Sequence, residues 1–139
     1  MKTTTYFQNK IADYLFGQTA YTLPAPYYAG LLLDADEDAL PDGTVTEVSG
    51  GSYARASLAN DKTTFSVSVG GAVDNDIEIV FPSATADWGA VTYFGLFDAA
   101  TSGNLLMWGE ANVLTGDPVT INNGKLATFQ TGELTLTVT

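Results

Sequence analysis

The sequence contains no histidine and no cysteine, and only five of its 139 residues are lysine or arginine. Without His and Cys the chain cannot build a zinc site on those ligands, a Ser-His-Asp triad, a cysteine nucleophile or a disulfide. Sixteen Asp and Glu residues leave a formal net charge of -11. Because such a charge repels a phosphate backbone, we expect no direct binding to nucleic acid.

Long hydrophobic runs are also missing. The longest apolar stretch, residues 27–33, is far shorter than the roughly 20 residues that a helix needs to span a bilayer. The first ten residues are mostly polar and lack the apolar segment of a secretory signal. We therefore expect no membrane partner, no cleaved leader and synthesis in the cytoplasm.

The N-terminal segment is predicted to form a short amphipathic helix, because its apolar residues recur at spacings of four and three. These residues are Phe7, Ile11, Tyr14 and Leu15. Thr5 and Gln8 match a capping box, and Gly17 suits the C-terminal end of a helix. We expect the apolar stripe to pack on its own domain or to dock on a neighbouring subunit.

The rest of the chain has the pattern of β-strands. Apolar and polar side chains alternate over residues 65–69, 77–81 and 134–138, which is typical of antiparallel sheets with one buried face. Turn signals such as Gly50-Gly51 and Gly70-Gly71 separate these segments. The sequence predicts an all-β fold, namely an antiparallel, jelly-roll-like β-sandwich with a short N-terminal α-helix.

The length of the chain bounds its domain organisation. A chain of 139 residues leaves no room for a second domain of ordinary size. We expect residues 1–17 to form a helical arm and residues 18–139 to form a single β-sandwich domain.

The strongest concentration of negative charge lies at residues 34–43, which we expect to form an exposed loop. Asp34, Asp36 and Asp38 alternate as in the opening of an EF-hand calcium loop. The pattern then fails, because Ala39 stands at the glycine position and Val45 at that of the bidentate glutamate. These aspartates are weak calcium candidates, and we expect neither a bound metal nor a cofactor.

Two strand segments, residues 93–97 and 105–109, are apolar on both faces. They are either central strands of a sandwich or strands with one face covered by another copy of the chain. We expect a homo-oligomer and favour a trimer. The candidate interface residues are Phe7, Ile11, Tyr14, Leu15, Arg55, Tyr93, Phe94, Phe97 and Trp108.

Arg55 is the only arginine, and we expect it to meet a carboxylate within the chain or across an interface. Carboxylates also stand beside the tryptophans, in the pairs Asp87-Trp88 and Trp108–Glu110. Neither pair comes with a recognisable acid–base environment. We therefore assign no catalytic residues and expect that the protein is not an enzyme.

Several blocks of sequence, in this order, resemble small bacteriophage virion proteins labelled tail-fibre or minor structural proteins. The blocks are NKIADYLF at 9–16, YAGLL at 28–32, TEVSGGSYAR at 46–55, FPSATADWG at 81–89, VTYFGLFDA at 91–99, GNLLMWG at 103–109 and GELTL at 132–136. The resemblance covers nearly the whole chain. The acidic loop at 34–42 departs from it by being more charged than expected.

The resemblance implies a structural component on the exterior of a phage particle, made in the host cytoplasm, and no enzyme. Its expected partners are copies of itself and other virion proteins of the capsid or the tail. Within this class we favour a capsid decoration protein. The alternative in the same class is a tail-fibre or tail-tip subunit involved in host attachment. An alternative from a different class is a carbohydrate-binding β-sandwich module, which fits the predicted fold.

Overall fold

The computed structural model describes residues 1–33, 37–111 and 119–137. Its described part is mostly β, with one short α-helix near the N-terminus, and every strand pair is antiparallel. The elements are β1 (Lys2–Thr3), α1 (Thr5–Leu15), β2 (Tyr27–Leu32), a 3₁₀ helix (Glu37–Asp42), β3 (Ala56–Leu58), β4 (Ala72–Asp74), β5 (Ile79–Val80), β6 (Gly89–Val91), β7 (Tyr93–Phe97), β8 (Leu105–Glu110), β9 (Val119–Ile121), β10 (Thr128–Phe129) and β11 (Thr135–Thr137).

A five-stranded sheet, in the order β1-β8-β7-β2-β3, forms the centre of the fold. Three two-stranded pairs, β4 with β11, β5 with β10 and β6 with β9, accompany it. The predicted fold class, an antiparallel β protein with a short N-terminal helix, is confirmed.

Both faces of the central sheet are covered by the chain itself. On one face, side chains from β2 and β7 pack with residues of β5, β6, β9 and β10 to form the main core. On the other face, a smaller cluster joins Leu32, Phe97 and Trp108 to Leu40 of the 3₁₀ helix. The segments that are apolar on both faces are therefore central strands, which is the first of the two explanations that the sequence allowed.

Strand β8 carries one extra residue relative to β7. Leu96 pairs with Met107 and Phe97 pairs with Leu105, so Leu106 is left over as a β-bulge. As a result Leu105 and Trp108 belong to the cluster with Leu32, whereas Leu106 and Met107 pack against Phe7 of α1.

Helix α1 begins one residue earlier than the sequence predicted. The N-cap is Thr4, whose Oγ1 accepts the N–H of Phe7 at 3.3 Å and donates to the carbonyl oxygen of Leu105 at 2.8 Å. The expected capping box is wrong, because Gln8 reaches back to Thr3 rather than to Thr5. Thr4 is preferred because its hydroxyl also bonds the neighbouring strand.

The end of α1 is as predicted. Gly17 follows Phe16, the C-cap residue, with φ +73°, a left-handed conformation that favours glycine. At the other end, β1 pairs with β8, so residues before the helix are part of the central sheet.

Two predictions from local pattern need correction. The alternation over residues 65–69 predicted a strand with a buried face, but this segment makes only isolated bridges, and Val67 and Val69 are 84% and 78% exposed. The acidic segment is not simply an exposed loop, because its described part forms a 3₁₀ helix in which Leu40 is fully buried.

Candidate functional site

Arg55 lies at the centre of a polar cluster inside the chain. Its Nε and Nη2 donate to the two carboxylate oxygens of Glu47 at 2.8 and 2.7 Å. Its Nη1 donates to the carbonyl oxygens of Ala99 and Ser102, and its guanidinium carbon lies 3.5 Å from the centre of the Phe97 ring. The carboxylate partner that the sequence predicted for Arg55 is therefore within the chain.

Tyr53 extends the same cluster into the central sheet. Its hydroxyl donates to Glu47 Oε1 at 2.7 Å and accepts the backbone N–H of Leu31 at 2.9 Å. Burial, together with the hydrogen bond to the Glu47 carboxylate, raises the pKa of Tyr53 well above its usual range. A Cβ on Gly30 would lie 2.8 Å from Phe97 and 2.9 Å from Glu47 Oε1, so the cluster is tightly filled. This arrangement holds the segment that carries Tyr53 and Arg55 against strand β2 and the residues that follow β7.

The interface candidates on the central strands lie in the interior. Phe94, Phe97 and Trp108 are buried, and Tyr93 is half-buried against the cluster around Leu32. In this fold the first three are core residues. The predicted homo-oligomer remains a prediction, and a contact between copies needs a different surface.

The apolar stripe of α1 changes from buried to exposed along the helix. Phe7 packs against Leu106 and Met107, and Ile11 is half-buried beside it. In contrast, Tyr14 and Leu15 are 61% and 68% exposed, and Phe16 at the C-cap is 79% exposed. The structure thus packs the first half of the stripe on its own domain and leaves the second half uncovered.

An open apolar groove of about 490 Å³ runs beside α1. Phe7 and Ile11 form one wall, while Leu23, Phe65 and Val67 contribute to the others. The sequence did not predict that Leu23 and Val67 line a surface groove. The alternation that includes Val67 and Val69 was the available signal, but alternation alone does not tell whether the apolar face is covered.

The residues that line the groove include Asp61 and Lys62. The hydroxyl and the N–H of Thr63 bond to the Asp61 carboxylate and hold its pKa below the usual range. Asp61 therefore stays ionised at neutral pH, and together with Lys62 it adds two opposite charges to a lining that is mostly apolar.

Comparison with protein families shows which family the chain belongs to. The model of a family described as podophage GP4 fiber I protein gp80 matches residues 2–137. The chain belongs to this family. None of the curated proteins matches the sequence.

Membership of this phage fibre family supports the predicted resemblance in its general form, because the protein is a phage structural protein. It lends no support to the predicted role as a capsid decoration protein. Within the described residues, no helix has the length and apolar character needed to cross a membrane.

Both tryptophans of this fibre-family protein are core residues. Trp88 is 4% exposed and donates its Nε1 proton to the Gly51 carbonyl oxygen, and Trp108 is 3% exposed. Neither therefore offers an open ring face on which a sugar could stack. The two tryptophans therefore give no support to the carbohydrate-binding alternative.

The weak calcium candidates lie mostly outside the described residues. Asp34 and Asp36 are not among those residues, and Asp38 is exposed on the 3₁₀ helix. Across residues 1–33, 37–111 and 119–137, no three acidic side chains come together as a metal site would require. The expectation that no metal is bound remains a prediction.

Proposed function

We propose that this protein is a non-enzymatic structural subunit of the fibre apparatus on the exterior of a phage particle. The observation that carries the proposal is the family match, which spans residues 2–137 and so includes the helix and every described strand. A tail-fibre or tail-tip position, our earlier alternative, fits the family description better than capsid decoration does.

The chemistry of the described residues supports a structural role. The one arginine is committed to Glu47 and two backbone carbonyls, and Tyr53 is committed to the same carboxylate. Asp87 accepts the N–H of Asn123, which ties it to a turn. These polar groups stabilise the fold, so they are poorly placed to react with a substrate.

The position on the particle can be tested with an epitope tag. A short tag inserted between Gly70 and Gly71 enters an exposed turn, where a side chain on Gly70 would meet no neighbour within 4 Å. A second tag at Gly124, another open turn, is the matched control. We expect gold-labelled antibody to mark the tail or its fibres with both tags. Labelling of the head shell by both would replace this proposal with capsid decoration.

The absence of enzymatic activity needs a separate test. The purified protein, incubated with a panel of bacterial surface polysaccharides, should release no reducing ends. Sustained turnover by the wild-type chain, lost in the Glu110→Gln or Asp87→Asn variant, would contradict the non-enzymatic part of the proposal while leaving the fibre assignment in place.

A further inference from the structure

Asn123 and Gly124 form the tip of a tight turn between β9 and β10. The N–H of Lys125 donates to the carbonyl oxygen of Asn122 at 3.0 Å, and Gly124 has φ +82°. This is the pattern of a type II β-turn, whose third residue needs a positive φ and is usually glycine. Both tip residues are exposed, so the turn presents an asparagine carboxamide, followed by a glycine, to water.

An asparagine that precedes glycine can lose its side-chain amide without an enzyme. The backbone nitrogen of Gly124 gives its proton to water and attacks Cγ of Asn123. The new C–N bond closes a five-membered imide, while the bond to the side-chain nitrogen breaks and that nitrogen leaves as ammonia. Water then opens the imide at either carbonyl and leaves aspartate or isoaspartate at position 123. Water is the only co-reactant, and nothing is oxidised or reduced.

The glycine makes this position different from the other asparagines. Without a side chain, the residue after Asn123 leaves its backbone nitrogen open to the attacking geometry, and even a Cβ on Gly124 would meet no atom within 4 Å. No other asparagine in the sequence is followed by glycine. Asn104, for example, is also exposed but precedes Leu105.

Two hydrogen bonds hold the turn in a conformation that opposes the reaction. The N–H of Gly124 donates to the carbonyl oxygen of Ala84 at 2.7 Å, and the N–H of Asn123 donates to Asp87 Oδ1 at 2.8 Å. The first bond engages the very nitrogen that must attack, and directs its proton away from solvent. Ring closure therefore requires the turn to open locally before the nitrogen can rotate towards the Asn123 side chain.

We propose that Asn123 is a site of spontaneous deamidation, and that its rate is set by opening of the turn at residues 122–125. The hydrogen bonds to Ala84 and Asp87 are the restraint. The proposal goes beyond the fibre role, because it concerns a chemical change of the chain itself and is independent of where on the particle the chain lies.

Conversion changes both the charge and the backbone of the turn. Each event adds one negative charge beside the Asp87 carboxylate, and isoaspartate also inserts a methylene group into the backbone. Ala84 is bonded to the turn twice, because it accepts the N–H of Gly124 and donates its own N–H to the carbonyl oxygen of Lys125. A longer backbone cannot keep both bonds in register, so we expect the modified turn to loosen from the segment that follows β5.

Incubation of the purified full-length chain in mildly alkaline buffer, followed by tandem mass spectrometry, tests the proposal. We expect the mass gain of amide-to-acid conversion at Asn123 and none at Asn104. In a urea concentration that unfolds the chain, conversion of Asn123 should be at least about tenfold faster, because unfolding removes both hydrogen bonds.

A pair of variants tests the restraint in the folded chain. Asp87→Ala removes one of the two bonds and should accelerate conversion of Asn123 in buffer by about tenfold, which corresponds to about 1.4 kcal/mol. Asp98→Ala is the matched control, because Asp98 also accepts a backbone N–H in a turn, that of Asn104 at 2.7 Å. It should leave the rate at Asn123 unchanged. In urea both variants should react as fast as the wild type.

Three results would overturn the proposal. The first is no conversion of Asn123 in urea, or faster conversion of another asparagine. The second is an equal rate for the wild type in buffer and in urea, which would show that the turn imposes no restraint and needs no variant to be observed. The third is an equal acceleration by Asp87→Ala and Asp98→Ala, which would attribute the effect to the loss of a carboxylate instead of the hydrogen bond.

Discussion

The guanidinium of Arg55 donates hydrogen bonds to a carboxylate and two carbonyl oxygens and packs against an aromatic ring. Its side chain is only 6% exposed. Arg55→Ala leaves Glu47 without its positive partner in a half-buried site. We expect the free energy of unfolding to fall by about 3–5 kcal/mol in urea titrations. Arg55→Lys should also destabilise the fold, because an ammonium group cannot reproduce the two-point pairing.

Lys125, an exposed lysine, provides the control for this experiment. Lys125→Ala should change the free energy of unfolding by no more than about 0.5 kcal/mol. Equal unfolding midpoints for Arg55→Ala and Lys125→Ala would show that the ion pair contributes nothing to stability.

Two tyrosines should respond oppositely to the loss of their hydroxyl groups. Tyr53→Phe leaves both the Leu31 N–H and Glu47 Oε1 without their partner, and we expect a loss of about 1–3 kcal/mol. Among the described residues, the buried hydroxyl of Tyr21 has no hydrogen-bond partner. Tyr21→Phe should therefore raise the free energy of unfolding, by about 1 kcal/mol. A lower melting temperature for Tyr21→Phe than for the wild type would contradict this reading of the Tyr21 site.

Within α1, truncating a buried and an exposed side chain should cost very different amounts of unfolding free energy. Phe7→Ala removes a ring that packs on β8, and we expect a loss of about 3 kcal/mol or more. Leu15→Ala shortens a side chain that is exposed. The free energy of unfolding of the monomer should therefore fall by no more than about 0.5 kcal/mol. Comparable losses in the two variants, measured under conditions where the chain is monomeric, would mean that the end of α1 packs on its own domain.

Strands β2 and β5 and the helix could be predicted from the sequence because their signals are local. Alternation around Ile79 and the apolar run at residues 27–33 depend on neighbouring side chains alone. The N-cap could not be placed correctly, because Thr4 is selected by carbonyl groups of β8 about a hundred residues away. The burial of Leu40 could not be predicted either, because Leu40 packs with Phe97 and Trp108 of the central sheet, which are distant from it in the sequence.

The candidate site was predictable only in part. The stripe of Phe7, Ile11, Tyr14 and Leu15 follows from helical periodicity. The groove beside it does not, because its far wall around Val67 is brought to α1 by tertiary contacts. Periodicity also cannot tell which apolar face the chain covers for itself, and for this reason it did not separate core residues such as Phe94, Phe97 and Trp108 from interface residues.

The complete chain should lose stability at alkaline pH. Burial raises the pKa of Tyr27 and of Tyr53, and it raises the pKa of Tyr21 to about 12. In the unfolded chain these phenols lose their protons from about pH 10. The unfolded state then binds fewer protons than the folded state, so the free energy of unfolding decreases as pH rises above that value and is unaffected by these groups below it.

Urea titrations between about pH 8 and about pH 11, with phenolate absorbance recorded in parallel, test this expectation. Phenolate formation by the buried tyrosines should coincide with unfolding. Tyr53→Phe should flatten the alkaline decline, whereas Tyr14→Phe, which alters an exposed ring, should leave it as steep as in the wild type. A decline of the same steepness in both variants would show that burial of Tyr53 does not contribute to it.

The bulge at Leu106 determines which kinds of evolutionary change strand β8 can accept. Deleting the codon of Leu106 would keep Leu105 and Trp108 on the same face, but it would remove a buried side chain that packs against Phe7. An insertion at the open turn of Gly70 disturbs no packed neighbour. In diverging phage lineages we therefore expect β8 to vary in the identity of its side chains but to keep its length, whereas the Gly70 turn accumulates insertions and deletions.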